Sequence, residues 1–441
     1  MSLRFKKIIL FLGDIAIFFA SLLLVISIRY PEKIFEEFSI HLLPFSFFLP
    51  LWLSILYISN LYEQKILKNN AEFFKTLFLS LVVWAIISII FFYFIPFFGI
   101  SPKTNLFLLL LFMFIFETLW RRIFNSIVYY QSYLNILLIG SSETSQKIYD
   151  FLRNNRQLGY RVKEWLNAEE MKNSENSIEK ILSENKIDAI ILPESSKKHL
   201  SKISALYKRL NLNLDVENTS DFYEKIFQKV PLSEIEDIWF LDNLAKRRKA
   251  YDSIKRLGEI IFSLFLLVLL SPLFLFIFLL LKIFSPGPAL YSQTRVGRNE
   301  KEFTLYKFRS MKKDAEKNGP EWAKQKDSRQ TRIGSFLRKT HLDELPQLWN
   351  IFLGDISFVG PRPERPEFVK NLKEIIPFYE TRHILKPGVT GWAQINYRYG
   401  SSIEDAYEKL EYDLFYIKHR SLGKDLSIII KTIKTLFATP E

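Results

Sequence analysis

Residues 259–282 read EIIFSLFLLVLLSPLFLFIFLLLK, and this stretch decides where the rest of the chain can lie. Between Ile260 and Leu281 there are 22 residues without a charge, and Ser271-Pro272 sits near the middle. As one straight helix the run is about 33 Å long, and the core of a bilayer is about 30 Å thick. Its length alone therefore predicts a membrane span, yet the 160 residues that follow have the composition of a soluble domain.

The composition indicates that membrane and soluble parts share one chain. The 441 residues include 41 Phe, 20 Tyr and 8 Trp, and the mean hydropathy is only +0.06. Because there is no Cys, disulfides, thiolate metal sites and Cys nucleophiles are excluded, and the five His form no H-x-x-x-H pair typical of zinc hydrolases. The net charge of +13 indicates anionic partners. Since the basic residues flank apolar segments, we expect lipid head groups and nucleotides and no nucleic acid.

Four apolar stretches in the first 130 residues, at about 8–28, 41–60, 77–98 and 105–120, each have nearly the length of a membrane span. No small-residue cleavage site follows the first, which predicts a retained span and not a signal peptide. Short connections let Lys and Arg set the orientation. One side holds eight basic residues (Arg4, Lys6, Lys7, Lys65, Lys68, Lys75, Arg121 and Arg122), and the other holds three (Arg29, Lys33 and Lys103). This asymmetry predicts that the N-terminus and everything after residue 121 are cytoplasmic.

A different pattern begins near residue 135. NILLIGSSETSQKIYDFLRN (135–154) predicts a buried strand, a turn and a helix, and KIDAIILPES (186–195) repeats the strand signal. Such a βαβ pattern predicts a Rossmann-like α/β domain, here taken as 131–244. Gly140 is followed by Ser142 and Ser145 where a dinucleotide fingerprint has glycines. We therefore interpret the domain as structural or regulatory and expect no NAD, with a nucleotide site at the first turn as the alternative.

One polar segment directly precedes the apolar run, and another lies further along the chain. AKRRKAYDSIKRLGE (245–259) carries six basic residues directly before it, which favours a segment lying on anionic head groups. The stretch 312–331 has the composition of a mobile loop, either a lid or a linker.

HLDELPQLWNIFLGD (341–355) contains the strongest candidate for a reactive group. Leu345, Leu348, Trp349 and Phe352 recur at helical spacing, and Pro346 is tolerated only in a first turn, so we expect a helix that begins near Asp343 and Glu344. The positive end of that helix favours ionised carboxylates, which suits a nucleophile or a Mg²⁺ ligand. The alternative is that Asp343 merely caps the helix.

Cations in short Gly- and Pro-bounded motifs surround this helix in the sequence. They are Lys307, Arg309, Arg338 and Arg362. Pro361 and Pro363 restrict the backbone on both sides of Arg362. Arginine suits bidentate phosphate contacts, and phosphoryl transfer needs positioned cations, a metal ion and an anionic attacker held in line. The set therefore predicts phosphoryl chemistry, although any single member can be a surface ion pair.

Three blocks, KFRSM (307–311), LDELPQLWNIFLGDISFVGPRP (342–363) and PGVTGWAQINYRYG (387–400), closely resemble the signature motifs of the bacterial sugar transferases. These are the polyprenyl-phosphate hexose-1-phosphate transferases, or monotopic phosphoglycosyl transferases. The resemblance covers about 250–441. Residues 1–245 are similar by architecture to the large members, which add four transmembrane helices and a Rossmann-like domain.

The resemblance implies a reaction and residue roles. Asp343 attacks the β-phosphate of a UDP-sugar, expels UMP and holds the sugar phosphate as an aspartyl ester, and Glu344 assists through Mg²⁺. Undecaprenyl phosphate then accepts the sugar phosphate. Lys307 and Arg338 match phosphate-handling positions, and the block Pro361-Arg362-Pro363 matches one that contacts the nucleotide. Arg309, Arg382 and Gln394 lie in family blocks without an assigned role.

The two flanks of the apolar run decide its topology. Lys and Arg are abundant on both sides, so both are cytoplasmic by the charge rule, which a single crossing violates. Pro272 favours a bend, and the Ser271 hydroxyl can satisfy a freed carbonyl. We therefore predict a re-entrant helix-break-helix over 258–282, at the start of a mainly α catalytic domain spanning 245–441. The four-helix membrane bundle then spans 1–130, and the whole protein is a multi-pass protein of the bacterial inner membrane with its catalytic domain on the cytoplasmic face.

Two other functions stay open at this stage. A membrane-anchored nucleotide-sugar epimerase or dehydratase needs a Tyr-x-x-x-Lys pair, and the pair found, Tyr251–Lys255, lies at the foot of the apolar run. A non-catalytic scaffold of a polysaccharide assembly needs a degenerate site, which the sequence does not display. The sequence does not decide between glucose, galactose and N-acetylated sugars, or whether the protein forms a homodimer.

Overall fold

The computed structural model describes most of the chain in two compact units, Met1–Thr219 and Ser220–Glu441. The described residues are 3–63, 66–94, 103–130, 133–167, 181–182, 185–193, 214–235, 239–240, 243, 248–285, 287–312, 315, 329–397, 400 and 402–437. The predicted loop 312–331 lies mostly outside them. So do Lys246 and Arg247.

The first unit begins with five helices: α1 (Leu3–Arg29), α2 (Ile34–Ser46), α3 (Leu49–Ile58), α4 (Ala71–Phe94) and α5 (Lys103–Tyr130). In the described part of the chain, Phe5–Arg29 and Ala71–Phe92 are each long and apolar enough to cross a membrane. The stretch predicted as a single span at 41–60 consists of α2 and α3, which meet at 43° and satisfy the same test as a pair. Apolar N-terminal helices thus agree with membrane association, while the count of four spans stays a prediction.

A buried ionic cluster ties α1 to α5. The Arg121 guanidinium lies 2.6 Å from Asp14 and 2.9 Å from Glu117, and it donates a hydrogen bond to the carbonyl of Leu61. The Tyr62 hydroxyl donates to Asp14 at 2.6 Å. Charges inside a bundle of apolar helices require such partners. Arg121, counted from the sequence as a charge that sets the orientation, is therefore a buried packing residue.

A parallel sheet follows α5. Its strands are β1 (Leu134–Ile139), β2 (Tyr160–Leu166), β3 (Ala189–Leu192) and β4 (Asp215–Asn218), in the order β2-β1-β3-β4, and helix α6 (Glu143–Asn154) follows β1. The inner strands β1 and β3 are buried as the continuous apolar sequence predicts. At the turn after β1, Gly140 has φ +119° and Ser142 accepts a hydrogen bond from the backbone N–H of Ser145, which caps α6. The Rossmann-like assignment stays a prediction.

The second unit combines helices with two short sheets. Its elements are α7 (Thr219–Phe227, which starts at the boundary), α8 (Lys249–Leu269), α9 (Ser271–Phe284), β5 (Leu290–Val296), β6 (Glu302–Phe308), α10 (Arg332–Lys339), α11 (Gln347–Leu353), β7 (Ser357–Val359), α12 (Pro366–Ile375), β8 (Gly388–Thr390), α13 (Trp392–Asn396), α14 (Ile403–His419) and α15 (Leu422–Phe437). Strands β5 and β6 form an antiparallel hairpin, and β7 pairs with β8 in parallel.

The apolar run is broken at Leu270 between α8 and α9, which meet at 58°. Pro272 stands in the first turn of α9, where its missing N–H costs no helical hydrogen bond, and the Ser271 hydroxyl donates to the carbonyl of Val268 at 2.8 Å. Large apolar side chains on both arms are more than half exposed, among them Ile261, Phe265, Val268, Leu275, Phe276 and Ile283. A break at Ser271-Pro272 with two apolar arms agrees with the sequence prediction, whereas the re-entrant path through a membrane stays a proposal.

Three of the six basic residues before the run differ from their prediction. Arg248 donates to the carbonyls of Lys418 and Arg420, and Arg256 donates to the carbonyls of Ile351 and Phe352. Lys255 likewise reaches the carbonyl of Val359 at 2.8 Å. These three side chains anchor α8 within the second unit instead of covering head groups, because unpaired carbonyls at helix and strand ends take the available donors.

Residues 220–235, which the sequence assigned to the α/β domain, pack within the second unit. Lys229 lies 2.6 Å from Glu408 and 2.8 Å from Glu411, and the backbone N–H of Val230 donates to the carbonyl of Glu411. This segment therefore belongs to the second unit. The predicted division into a membrane bundle, an α/β domain and a catalytic domain stays a prediction.

Candidate active site

The Asp343-Glu344 pair lies in a single 3-10 turn, Leu342–Glu344, entered through His341 in the left-handed region (φ 54°). The helix predicted to begin there starts only at Gln347, with Pro346 at its N-cap position. The alternative that Asp343 merely caps this helix is therefore wrong. The predicted apolar face is also incomplete, since Leu348 is buried while Trp349 is exposed and stacks on Phe352.

Glu344 is held between two cations. The Lys307 ammonium, on β6, donates to Glu344 Oε1 at 2.7 Å, and the Arg362 guanidinium donates to the same oxygen at 3.2 Å. Burial opposes ionisation of Glu344, but these two cations outweigh it and hold the pKa of Glu344 well below its usual range. Glu344 is thus a permanent anion that positions a lysine from strand β6 and an arginine from a loop.

Asp343 has the opposite environment. It is 6% exposed, and no described residue donates a hydrogen bond to its carboxylate. Burial raises the pKa of Asp343 to about 6, and the neighbouring Glu344 charge adds to this, against the opposing effect of Lys307, Arg338 and Arg362. The sequence had predicted a helix end that keeps Asp343 ionised. Burial instead raises its pKa, but at a pKa of about 6 the carboxylate is still mostly ionised at neutral pH.

Arg338 provides a third cation near Asp343. It lies in the last turn of α10, whose N-terminus is capped by the Thr331 hydroxyl accepting from the N–H of Gly334 at 2.9 Å. Its charge is among those that lower the pKa of Asp343. Its Nη1 atom is buried and has no hydrogen-bond partner among the described residues. A buried donor without a partner is costly, and an anionic ligand oxygen would satisfy it.

The loop that presents Arg362 is fixed at every carbonyl. Gly388 N–H donates to the carbonyl of Pro361, Arg382 donates to that of Arg362, and Arg295 donates to that of Pro363. The proline rings restrict φ on either side. This geometry supports the prediction that the Arg362 guanidinium is presented by a rigid backbone.

Arg382 has a positioning role in this geometry. It is buried and pairs with Asp413 at 2.9 Å, and its Nη2 also donates to the carbonyl of Arg362 at 3.1 Å. Tyr379 packs under its guanidinium, 5.1 Å from the ring centroid. Arg382 therefore fixes the backbone of Arg362 through this hydrogen bond.

Arg309 and Gln394 are placed in other parts of the second unit's framework. Arg309 is buried and donates to the carbonyl and hydroxyl of Ser285, directly after α9. The Gln394 amide donates to the carbonyl of Val389 on β8 at 3.0 Å, and its Oε1 is buried without a partner in the described residues. Lys307 and Arg362 thus both contact Glu344 directly. Arg309 and Gln394 instead bond to Ser285 and Val389.

One buried network was missed by sequence reasoning. Asp425, on α15, lies 3.0 Å from Lys255 and accepts hydrogen bonds from the hydroxyls of Tyr251 and Tyr416 at 2.7 Å each. The Lys255 ammonium also donates a hydrogen bond to the carbonyl of Val359, which lies just before the Arg362 loop. The Tyr251–Lys255 pair that an epimerase would require is therefore occupied in packing α8, which leaves that alternative without its catalytic pair.

Two carboxylates are available to a divalent cation. No group of three or more His, Asp or Glu side chains suited to a metal occurs in the described ranges. Mg²⁺ is commonly bound by one or two carboxylates together with substrate phosphates. Asp343, which receives no hydrogen bond from a described residue, and the adjacent Glu344 fit that donor set.

Comparison with known proteins identifies the family of the chain. The family model described as bacterial sugar transferase matches residues 250–439. Over 186 residues the chain is 41% identical to the exopolysaccharide production protein PSS of Rhizobium leguminosarum bv. phaseoli, a match that covers 41% of this chain and 93% of that protein. The chain belongs to the bacterial sugar transferase family.

Longer relatives match the chain over a similar length. It is 44% identical over 186 residues to the UDP-N-acetylgalactosamine-undecaprenyl-phosphate N-acetylgalactosaminephosphotransferase of Aeromonas hydrophila, covering 42% of this chain and 44% of the relative. It is 41% identical over 182 residues to the UDP-glucose:undecaprenyl-phosphate glucose-1-phosphate transferase of Escherichia coli (strain K12), covering 41% and 39%. The matches thus span less than half the length of these two relatives.

Proposed function

We propose that the protein transfers a sugar 1-phosphate from a UDP-sugar to undecaprenyl phosphate and releases UMP, as the first step in assembly of an exopolysaccharide, capsule or O-antigen. The observation that carries the proposal is the pairing of two unlike carboxylates: Glu344, neutralised by Lys307 and Arg362, and the adjacent Asp343, buried and without a hydrogen-bond donor among described residues. The names of the Aeromonas and Escherichia relatives support the donor and acceptor classes.

In the first step, an Asp343 oxygen attacks the β-phosphorus of the UDP-sugar. The bond from that phosphorus to the bridging oxygen breaks, UMP leaves with the electron pair, and an aspartyl ester of the sugar phosphate forms. In the second step, an oxygen of undecaprenyl phosphate attacks the same phosphorus, and Asp343 leaves as a carboxylate. Each step exchanges one phosphorus–oxygen bond for another, so neither an oxidant nor a reductant is needed.

Three cations stabilise the phosphate charge during these steps. Lys307 and Arg362 are already oriented by Glu344, so they need little reorganisation when substrate arrives. Arg338 brings a buried Nη1 with no partner in the described part of the chain. Because Asp343 has a pKa of about 6, it is mostly ionised at neutral pH while receiving little solvation, which favours a reactive nucleophile.

Asp343 and Glu344 would hold a Mg²⁺ ion. Bound there, the ion supplies charge neutralisation for the pyrophosphate of the donor. Glu344 would in addition keep Lys307 in place, since its Oε1 already accepts from that ammonium.

The bent pair α8–α9 supports a re-entrant entry into one leaflet from the cytoplasmic side. Its exposed apolar arms match an acyl environment, and the uncharged part of each arm, 260–269 and 271–281, is about half as long as a span requires. The N-terminal helices would form four spans with α2 and α3 as one broken span, and the parallel sheet would form a Rossmann-like domain. These features would place a multi-pass protein in the inner membrane, with Asp343 within reach of a lipid phosphate.

UMP release provides the test. Purified protein is mixed with undecaprenyl phosphate and, separately, UDP-glucose, UDP-galactose and UDP-N-acetylgalactosamine. We expect UMP and a lipid-linked sugar phosphate with at least one donor, and loss of both in Asp343→Asn. A folded protein that yields no UMP with any donor would leave the non-catalytic scaffold as the better explanation.

A further inference from the structure

A cavity of about 230 Å³ in the first unit is lined by three arginines. Arg153 lies in the last turn of α6, Arg156 follows that helix, and Arg161 lies on β2. No carboxylate is among the described residues that line the cavity, and none of the three guanidinium groups pairs with a described side chain. Three exposed cations that share one cavity, with no acidic partner in the part of the chain that the structure describes, repel one another, so the cavity attracts an anion.

Tyrosines supply the rest of the polar lining. Tyr133, Tyr149 and Tyr160 border the cavity, and Tyr149 is held by stacking on Trp165 at 5.0 Å. Phenolic hydroxyls donate hydrogen bonds to anionic oxygens, and guanidinium groups match phosphate in geometry. The combination suits a phosphate group better than a neutral ligand.

A buried lysine beside the cavity gives independent support. Lys6, on α1, is 3% exposed, and its Nζ lies 3.2 Å from the point that a Cβ at Gly159 would occupy, directly before Tyr160. Among the described residues it has neither an ion pair nor a hydrogen bond. This ammonium adds a fourth positive charge beside the three arginines, and a nearby anion would neutralise it.

The surrounding elements add positive charge and locate the cavity. Lys68 donates to the carbonyl of Asn154 at 3.1 Å, at the end of α6. Lys6 stands near the start of Phe5–Arg29, a helix able to cross a membrane. The cavity therefore adjoins the end of a candidate span, at the level where lipid head groups would be found.

We propose that Arg153, Arg156 and Arg161 bind a phosphate group, with Lys6 as the buried counter-charge. The phosphate belongs either to the head group of an anionic phospholipid or to a free phosphate in solution. This site lies in the α/β part of the first unit and does not depend on the proposed transferase reaction. It gives the sheet domain a ligand at the opposite end of its strands from the Gly140 turn.

The experiment uses the full chain in nanodiscs. One arm adds inorganic phosphate to protein in phosphatidylcholine nanodiscs, and the other compares phosphatidylglycerol with phosphatidylcholine nanodiscs in phosphate-free buffer. Hydrogen exchange of residues 149–162 reports binding. The test variant is R153Q/R156Q/R161Q. Its control, K147Q/K163Q/K186Q, removes the same charge from exposed lysines of the same unit that do not line the cavity.

We expect slower exchange over 149–162 in one arm, and an apparent affinity in the test variant at least about tenfold weaker than in wild type and control. Protection by inorganic phosphate identifies a free phosphate, and protection only by phosphatidylglycerol identifies a lipid head group. Absence of protection in both arms overturns the proposal, as does equal protection of the two triple variants. UMP release is unaffected by any of these outcomes, so failure here leaves the proposed function standing.

Discussion

Replacing Asp343 by Asn should stabilise the protein while abolishing transfer. Burial raises the pKa of Asp343 from 3.8 to about 6, so the ionised side chain is held in the folded state at a cost. A shift of about two units corresponds to about 3 kcal/mol at neutral pH. Asn is neutral and of equal size, and no hydrogen bond from a described residue is lost. For a unit of this size the gain corresponds to a rise in Tm of about 6–12 °C.

The gain should depend on pH in a defined direction. Because the folded pKa lies above the unfolded one, the folded protein binds more protons between about pH 4 and 6, and the stability of the wild type falls as pH rises through this window. The advantage of Asp343→Asn is therefore full above about pH 6 and disappears below about pH 4. Thermal unfolding of the purified protein in detergent, measured across this range, gives the difference.

Asp413→Asn is the matched control. Burial also raises the pKa of Asp413 to about 6, and the residue is 2% exposed, but its carboxylate pairs with the buried Arg382. Removing its charge relieves the same cost of burial but also breaks the ion pair with Arg382, so we expect the two effects to offset each other and little or no gain in stability. The difference between the two variants follows from the difference in partners. Equal or lower stability of Asp343→Asn at pH 7.5, or a gain that persists below pH 4, would refute the reasoning.

Three further outcomes are expected. Turnover should fall at acid pH with an apparent pKa near 6, because the nucleophilic carboxylate of Asp343 becomes protonated. Below that pKa the rate should drop about tenfold per pH unit. A pH–rate profile that is flat from about pH 5 to 7.5 would contradict a nucleophile with this pKa. Glu344→Gln should lower kcat by about 100-fold or more, because Lys307 and Arg362 lose the anion that orients them, whereas a change confined to KM contradicts that role. Lys255→Met should destabilise the protein by about 3 kcal/mol and reduce turnover, because Lys255 links Asp425 to the strand before Arg362. The control Lys249→Met, at an exposed site on the same helix, should change neither stability nor turnover. Equal Tm values for the two variants would contradict the positioning role.

Features set by neighbouring residues could be predicted from the sequence. The break at Ser271-Pro272 follows from the restricted φ of proline and the missing N–H. The rigid loop at Arg362 follows from its two flanking prolines. The buried inner strands of the parallel sheet follow from their continuous apolar runs.

Features set by partners distant in the chain could not be predicted. Asp425 accepts a hydrogen bond from Tyr251, 174 positions away, and no local pattern reveals such a contact. The elevated pKa of Asp343 depends on burial by the folded unit, which outweighs the local arrangement of charges. The helix start near Asp343 was misjudged because His341 takes a left-handed conformation that its sequence context does not indicate.

A search for the covalent intermediate tests the central claim most directly. Protein is mixed with UDP-glucose or UDP-N-acetylgalactosamine in the absence of undecaprenyl phosphate, and intact and peptide masses are measured at once. We predict a mass increase of one sugar phosphate on the peptide that contains Asp343, removed by undecaprenyl phosphate or hydroxylamine and absent from Asp343→Asn. UMP formation without this adduct, or an adduct that persists in Asp343→Asn, would contradict a mechanism through Asp343.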